Sequence, residues 1–234
     1  IAEALKSGRT IDKLFIASGD TDKNLQRLAA QAKDAGAVIV PVDRRKLDAM
    51  SFTRSHQGVI ALAAAHDYYT IDDILEEAAS RGEAPLIVIC DELSDPHNLG
   101  AILRSAECAG AHGVIIPKRR SVGLTATVAK ASAGAMEYMK VARVTNISAA
   151  MQELKEKGVW IFGTAAEGAI PMYQADLKGP SAVVIGNEGV GMSQLVRKNC
   201  DVIVSIPMNG HISSLNASAA ASILLYEAVR QRLG

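Results

Sequence analysis

Three polar, glycine-containing segments carry the side chains that could do chemistry. The first begins at Asp91 and reads DELSDPHNLGAILRSAECAG, in which Asn98 is a predicted helix N-cap and Arg104 follows on an otherwise apolar helix. A charge on an apolar face is costly unless it has a partner, a route to solvent or a role. Arg104 is therefore either an arginine whose head reaches the surface or a functional cation.

The second segment is GNEGVG at residues 186–191, directly after the apolar run AVVI. Glycine tolerates positive φ and lets the backbone approach a ligand closely. The order G-x-x-G-x-G differs from the dinucleotide fingerprint G-x-G-x-x-G, so alone it is a weak nucleotide motif. Glu188 is either an acid at the mouth of a site or a plain loop carboxylate.

The third segment is IPMNGHISSLN at residues 206–216, before a C-terminal helix rich in alanine and serine. Ser213 or Ser214 is predicted to cap this helix, and its small residues permit close packing against another helix. Asn216 would then lie in the first turn, where its helix propensity is poor. A residue that departs from local preference hints at function.

Apolar strand-like runs alternate with helical patterns from Pro85 onward, which predicts a parallel sheet with helices on both faces. Such sheets bind ligands at the carboxyl ends of their strands, where the three polar segments would meet. The predicted strands are Leu86–Cys90, Gly113–Ile116, Met139–Val144, Val159–Gly163, Ala182–Ile185 and Val202–Ser205. The predicted helices cover about 99–109, 122–131, 147–157, 192–198 and 215–232.

The chain is predicted to have two domains. Residues 1–65 contain three strand-like runs around one helical pattern, which indicates a small α/β unit. Residues 66–83 are polar and acidic and are predicted to be a linker that contains a short helix. Residues 84–234 form the larger domain.

Composition bounds the class of protein. The 234 residues are 49% hydrophobic with zero net charge, and no apolar run reaches the length of a membrane span. Zero net charge counts mildly against a nucleic-acid partner, although Arg44–Lys46 and Lys118–Arg120 are local basic clusters. For either cluster alone, solvated loop charge is the favoured interpretation.

The cysteines and histidines predict neither a disulfide framework nor a metal site. Cys90, Cys108 and Cys200 are far apart and odd in number, which favours buried, reduced thiols of a cytoplasmic protein. The five histidines are scattered, without the spacing of metal ligands.

The three segments, in this order, resemble the signature motifs of the SpoU branch of the SPOUT methyltransferases. The resemblance covers residues 86–232, and residues 1–65 resemble the L30e-like RNA-binding domain of many such enzymes. The closest overall resemblance is to the 23S rRNA guanosine 2′-O-methyltransferases. The matching motifs are Asn98-x-Gly100-x-x-x-Arg104, Gly186-x-Glu188-x-x-Gly191 and Ile206-Pro207-Met208-x-Gly210-x-x-x-Ser214-Leu215-Asn216.

The resemblance implies an α/β fold in which a parallel sheet flanked by helices ends in a C-terminal trefoil knot, around residues 186–216. Pattern alone would predict an unknotted sheet, because true knots are almost absent from proteins. The resemblance also implies S-adenosylmethionine as methyl donor, RNA as substrate, and a homodimer through the catalytic domain with the C-terminal helix at its interface. No metal and no membrane are expected.

The resemblance implies two sets of site residues. Arg104 would be the catalytic cation, Glu188 would orient it or the cofactor, and the ribose would be held by polar side chains of the first and third motifs. A guanidinium stays protonated, so Arg104 suits phosphate orientation and alkoxide stabilisation better than the role of base. The expected catalytic residues are Arg104, Asn98, Glu188, Ser214 and Asn216. The expected cofactor-binding residues are Thr164, Gly186, Ile206 and Leu215.

Three other functions compare differently with these motifs. A Rossmann oxidoreductase would need G-x-G-x-x-G after an early strand, which is absent. A tRNA 2′-O-methyltransferase remains an alternative to the rRNA enzyme. A catalytically silent RNA-binding relative is disfavoured because Arg104, Glu188 and Asn216 are all present.

Overall fold

The computed structural model describes residues 1–6, 10–19, 22–51, 56–166, 169–187 and 189–234. The chain divides into two compact units. The first comprises residues 1–67 with 123–126, and the second comprises residues 68–122 with 127–234.

The first unit is built on a three-stranded sheet in which β1 pairs in parallel with β2 and antiparallel with β3. The predicted strands and central helix are confirmed. A helix that was not predicted covers the basic cluster at residue 44, because Asp43 accepts a hydrogen bond from the Lys46 amide and Leu47 is fully buried. The elements are α1 (Ala2–Lys6), β1 (Ile11–Ala17), α2 (Lys23–Asp34), β2 (Val38–Val42), α3 (Arg44–Met50) and β3 (Val59–Ala63).

The second unit contains the predicted alternation of strands and helices. Its strands are β4 (Leu86–Cys90), β5 (Gly113–Pro117), β6 (Val141–Val144), β7 (Trp160–Thr164), β8 (Ile170–Pro171), β9 (Ser181–Ile185) and β10 (Val202–Ser205). The helices are α4 (Ile71–Arg81), α5 (Pro96–Cys108), α6 (Ala126–Ala131), α7 (Ile147–Glu156), α8 (Gln194–Asn199) and α9 (Ala217–Leu233).

Seven described strands of this unit form one parallel sheet, in the order β6-β5-β4-β9-β7-β10-β8. The predicted parallel sheet is thus confirmed. Because β9 lies between β4 and β7, the carboxyl ends of β4, β9, β7 and β10 are neighbours. The three polar segments follow β4, β9 and β10. The trefoil knot stays a prediction.

Helices cover both faces of the sheet. Ile87 and Ile89 of β4 belong to a core formed with α4, α7 and α8, while α9 contacts β9 and packs on α5. The sequence predicted a linker at residues 66–83. In the structure, helix α4 of this segment packs on the large sheet, and its Ile74 is completely buried in this core. A side chain at Gly113 would collide with Ile74, so the close approach of α4 needs this glycine.

The C-terminal helix packs within its own chain. Ser105 of α5 and Ser222 of α9 are joined by a 2.7 Å hydrogen bond, which confirms the close helix packing that the small residues predict. At the other end of α9, Arg232 donates to the carbonyl oxygens of residues 84, 85, 177 and 179. These bonds hold α9 against the amino edge of the sheet.

The cysteines are free, as expected, but they are not all buried. Burial raises the pKa of the Cys90 thiol to about 12 and that of Cys200 to about 11, so both stay protonated at neutral pH. Cys108 is exposed, which corrects the expectation for that residue. It lies at the end of α5, on the side of the helix that faces solvent. No helix of the described residues is long and apolar enough to cross a membrane.

One buried histidine links the start of β4 to that of β5. The Leu86 amide donates to His112 Nδ1 at 3.0 Å, so the proton lies on Nε2, which is 3.0 Å from Glu83 Oε2. Burial lowers the pKa of His112, and the nearby Glu83 carboxylate opposes this only in part. The neutral ring is therefore the form that the folded chain favours.

We expect stability to fall as the pH drops below about 6.5, the ordinary histidine pKa, because the unfolded chain then takes up a proton that folded His112 resists. Urea unfolding at neutral pH and near pH 5.5 should show this loss, and His112→Gln should show much less of it. His211→Gln, which replaces an exposed histidine, should keep the pH dependence of stability that the wild type shows. The carboxylates whose pKa is lowered titrate in a more acidic range. A pH dependence unchanged in His112→Gln would contradict the assignment.

Candidate active site

A buried carboxylate ties the end of β4 to the segment after β9. Asp91 is 4% exposed, its amide donates to the Ile185 carbonyl at 2.8 Å, and its Oδ2 accepts from the Ser193 amide at 2.7 Å. A buried carboxylate is stabilised only where hydrogen bonds replace water, and the Ser193 amide supplies one. Asp91 therefore holds the first and second polar segments at a fixed separation.

The second segment closes into a tight turn beside this bond. Asn187 and Gly191 exchange two backbone hydrogen bonds of 3.1 and 2.8 Å, and Asn187 Nδ2 donates to the Glu92 carbonyl at 3.2 Å. A Cβ on Gly186 would lie 2.4 Å from backbone atoms of residues 191 and 192, so only glycine fits. Gly186 thus serves turn closure. Glu188 lies outside the described residues.

Asn98 is not the N-cap of α5. Asp95 is the cap, since its Oδ1 accepts from the His97 amide at 2.9 Å, and Pro96 occupies the first helical position. Asn98 is instead buried in the first turn, where its Oδ1 accepts from Asn216 Nδ2 at 2.9 Å. The first and third motifs therefore meet through this pair of amides.

Asn216 is the N-cap of α9, so the predicted caps Ser213 and Ser214 are wrong. Its Oδ1 accepts from the amides of Ser218 and Ala219 at 2.9 and 3.4 Å. Asparagine is among the best N-cap residues, and its apparent misfit came from placing the helix start about two residues early. An amide side chain can cap the helix with its oxygen while its nitrogen donates to Asn98.

A cavity of about 150 Å³ opens beyond the ends of β7 and β10. It brings together four predicted site residues, and Gly186 is not among the residues that line it. Thr164 is held there by a 2.9 Å hydrogen bond from Oγ1 to the Val184 carbonyl of β9. The lining is formed by Thr164, Ala165, Ala166, Val204, Ile206, Met208, Ser213, Ser214, Leu215 and Ala220.

The lining suits a nucleoside-containing cofactor such as the expected S-adenosylmethionine. Small apolar side chains can pack on a base, and no backbone group from Met208 to Leu215 hydrogen-bonds to another described residue. These peptide groups are therefore available to a ligand. Cofactor pockets usually measure roughly 300–1,000 Å³, so a bound cofactor would extend past the cavity onto this exposed loop.

Arg104 does not line the cavity. Its side chain is exposed on α5 and forms no hydrogen bond or ion pair with any side chain that the structure describes. An exposed guanidinium is compatible with both interpretations that the sequence left open. The position leaves the guanidinium accessible to a bound substrate.

Sequence reasoning overlooked the residues that join the loops. Asp91, Asn187 and Ser193 were not predicted as site residues, although Asp91 is the first polar residue after a wholly buried strand. That position at a carboxyl edge was the available signal. Within the described ranges, no three His, Cys, Asp or Glu side chains are grouped as metal ligands would be, and a metal-free site stays a prediction.

Comparisons with known proteins agree with this geometry. Residues 85–226 match the SpoU rRNA methylase family, and residues 1–69 match the substrate-binding family of RNA 2′-O-ribose methyltransferases. A Bacillus subtilis protein named as a TrmH family tRNA/rRNA methyltransferase, YacO, is 48% identical, with 99% of this chain and 93% of that protein covered.

Two further proteins cover almost the whole chain. The 23S rRNA (guanosine-2′-O-)-methyltransferase RlmB of Shewanella oneidensis is 46% identical over 97% of this chain and 92% of its own length. The crystal structure of the SpoU methyltransferase AviRb from Streptomyces viridochromogenes with AdoMet superposes with a TM-score of 0.66. It is 28% identical, with 99% of this chain and 87% of that chain covered.

Both units of the chain are thus matched, together with the sheet and loops that form the cavity. The chain belongs to the SpoU rRNA methylase family of RNA 2′-O-ribose methyltransferases, which take their methyl group from S-adenosylmethionine.

Proposed function

We propose that this chain methylates the ribose 2′-hydroxyl of a guanosine in 23S rRNA. The observation that carries the proposal is the 46% identity to the Shewanella enzyme named for that reaction, which extends over both units. A tRNA substrate is the second candidate, because the name of the Bacillus relative includes both RNA classes. We expect the reaction to take place in the cytoplasm, without a metal ion.

The cavity residues would hold the cofactor. Thr164, Ile206 and Leu215 line the cavity, and Gly186 keeps the neighbouring turn closed against β9. When bound, the cofactor would supply a methyl carbon to the ribose oxygen as its carbon–sulfur bond breaks and a neutral thioether leaves. The free peptide groups of the loop before α9 would read the base through backbone hydrogen bonds.

The polar residues would position the ribose. Ser214 lies on the cavity wall, and the bonded pair Asn98–Asn216 fixes the start of α9 beside it. Alignment of two reacting groups can remove roughly 7–11 kcal/mol from a barrier, so rigid positioning is the main contribution that we assign to these side chains. Glu188, outside the described residues, would orient Arg104 or the cofactor.

Arg104 would act as a fixed cation. Its guanidinium stays protonated and so cannot accept the proton that the hydroxyl loses. A planar, charged fork can hold a phosphate with two hydrogen bonds and stabilise the developing alkoxide. We therefore assign Arg104 to substrate positioning and charge stabilisation.

We also propose a homodimer through the catalytic unit. The helix expected at its interface, α9, buries Leu224 and Leu225 within its own chain, so these two cannot form the contact. Tyr226 and Leu233 are 51% and 84% exposed on the same helix. They are the apolar side chains that a second copy of α9 would cover.

The N-terminal unit would recognise folded RNA. Arg44 and Arg45 are exposed at the start of α3, where they can contact phosphates, whereas Arg9 and Arg54 lie outside the described residues. A division of labour between the units is supported by the position of the cavity, which lies wholly in the second unit. Because α4 packs in the core of that unit, a separable catalytic part would need to include residues from Tyr68 onward.

Methyl transfer from labelled S-adenosylmethionine tests the proposal. We expect incorporation into deproteinised 23S rRNA at one guanosine, mapped by the resistance of the modified ribose linkage to alkaline cleavage. Bulk tRNA from the same cells serves as the competing substrate. Incorporation into tRNA alone would overturn the rRNA assignment while leaving the family's chemistry intact.

We expect Arg104→Lys to lower kcat by roughly 10²-fold while the affinity for S-adenosylmethionine stays the same. Lysine keeps the charge but loses the planar fork that can hold a phosphate bidentately. Single-turnover kinetics and calorimetry measure the two quantities. Arg81→Lys, on the exposed side of α4, is the matched control. Near-normal turnover in Arg104→Lys would mean that any cation suffices.

A further inference from the structure

A cluster of cations lies at the carboxyl edge of the sheet, outside the cofactor cavity. Lys118, Arg119 and Arg120 follow directly after β5, and Arg143 stands near the end of the adjacent strand β6. We name these four residues the basic edge. Arg119 and Arg120 are exposed. Glu92 pairs with Arg120 at 3.1 Å, and Lys118 and Arg119 add two further cations.

The backbone of this turn is held in an unfavourable conformation. Arg120 has φ of +55°, in the left-handed region that residues other than glycine seldom adopt. Ser121, which follows, is buried and donates from Oγ to the Leu93 carbonyl at 2.9 Å, and the Val122 amide donates to the same oxygen at 2.9 Å. Strain of this kind persists where surrounding bonds impose it, and it is often found at functional sites.

The same hydrogen bonds couple the basic edge to the active-site loops. Leu93 belongs to the loop after β4. In this loop, the Glu92 carbonyl accepts from Asn187 of the second motif, and Asp91 accepts from Ser193, two residues after that motif. The arginines are thus placed rigidly with respect to the turn beside the cofactor cavity. A merely solvated loop would not need this connection.

Arg143 is held in place from two sides. Its guanidinium lies 5.2 Å from the centre of the Tyr68 ring, and its Nη2 is 3.5 Å from the Lys118 carbonyl. Stacking on an aromatic ring limits the rotamers of an arginine. Lys118 is half-buried beside it, with its amide bonded to the Val144 carbonyl at 2.8 Å.

We propose that the basic edge binds backbone phosphates of the RNA strand that flanks the target nucleotide. This inference rests on RNA as the substrate, and it assigns the catalytic unit its own RNA contact, separate from the N-terminal unit. Lysine and arginine on a rigid edge are the groups that bind phosphates without reading sequence. Glycine at position 120 would relieve the strain but would lack the guanidinium that pairs with a phosphate.

Binding of deproteinised 23S rRNA at several KCl concentrations tests the proposal, with bulk tRNA as a second probe. Arg119→Ala should weaken binding roughly 3–10-fold and reduce the slope of log Kd against log salt by about 0.7–0.9, because one phosphate contact is lost. Arg120→Gly should weaken binding similarly. It should also raise Tm by about 2–4 °C, because the left-handed residue becomes glycine.

Lys178→Ala is the matched control, since this exposed lysine precedes β9 at the opposite edge of the sheet. It should leave the Kd and the salt slope at wild-type values. Wild-type binding by both Arg119→Ala and Arg120→Gly would overturn the proposal, as would an equal loss in Lys178→Ala. A fall in Tm in both arginine variants would make the basic edge a structural element and would also overturn it. This binding assay does not depend on methyl transfer. A wrong rRNA assignment would therefore be detected separately, in the methyl-transfer assay, as methylation of tRNA alone.

Discussion

One loop, residues 91–95, holds together the carboxyl edge of the large sheet. Asp91 accepts from the Ser193 amide, the Glu92 carbonyl accepts from Asn187, and the Leu93 carbonyl accepts from Ser121 and Val122. A typical hydrogen bond contributes only about 1 kcal/mol net, but a buried carboxylate left without a partner costs considerably more. The loop can therefore hardly move without breaking several satisfied buried groups at once.

This constraint explains how residues far apart in sequence reach one place. The strand order inserts β9 between β4 and β7, so that the loop after β4 touches the second motif on one side and the turn after β5 on the other. The segment from residue 208 to 215 is different, because its peptide groups bond to no other described residue. A rigid frame beside a loop with open hydrogen-bonding groups suits a site that encloses a cofactor when it binds.

Local patterns in the sequence predicted the elements well and their arrangement poorly. The bounds of β4 and β10 are those expected, because apolar runs bounded by polar residues mark buried strands. The insertion of β9 could not be predicted, since strand pairing depends on contacts between distant segments. Asn98 and Asn216, both predicted as site residues, meet through a hydrogen bond, but their predicted positions at the helix starts were off by about two or three residues. The packing of α4 in the catalytic unit was not predicted either, because it also depends on contacts between distant segments.

We expect the Asp91–Ser193 bond to hold the cofactor site together, and cofactor affinity tests this role most directly. Calorimetric titration of S-adenosylmethionine should show a Kd increased roughly 10-fold or more in Asp91→Ala, because a buried hydrogen bond to a charged group is lost. Asp91→Asn, which keeps an acceptor oxygen for the Ser193 amide, should stay within about threefold of the wild type. Wild-type affinity in a folded Asp91→Ala variant would contradict the account.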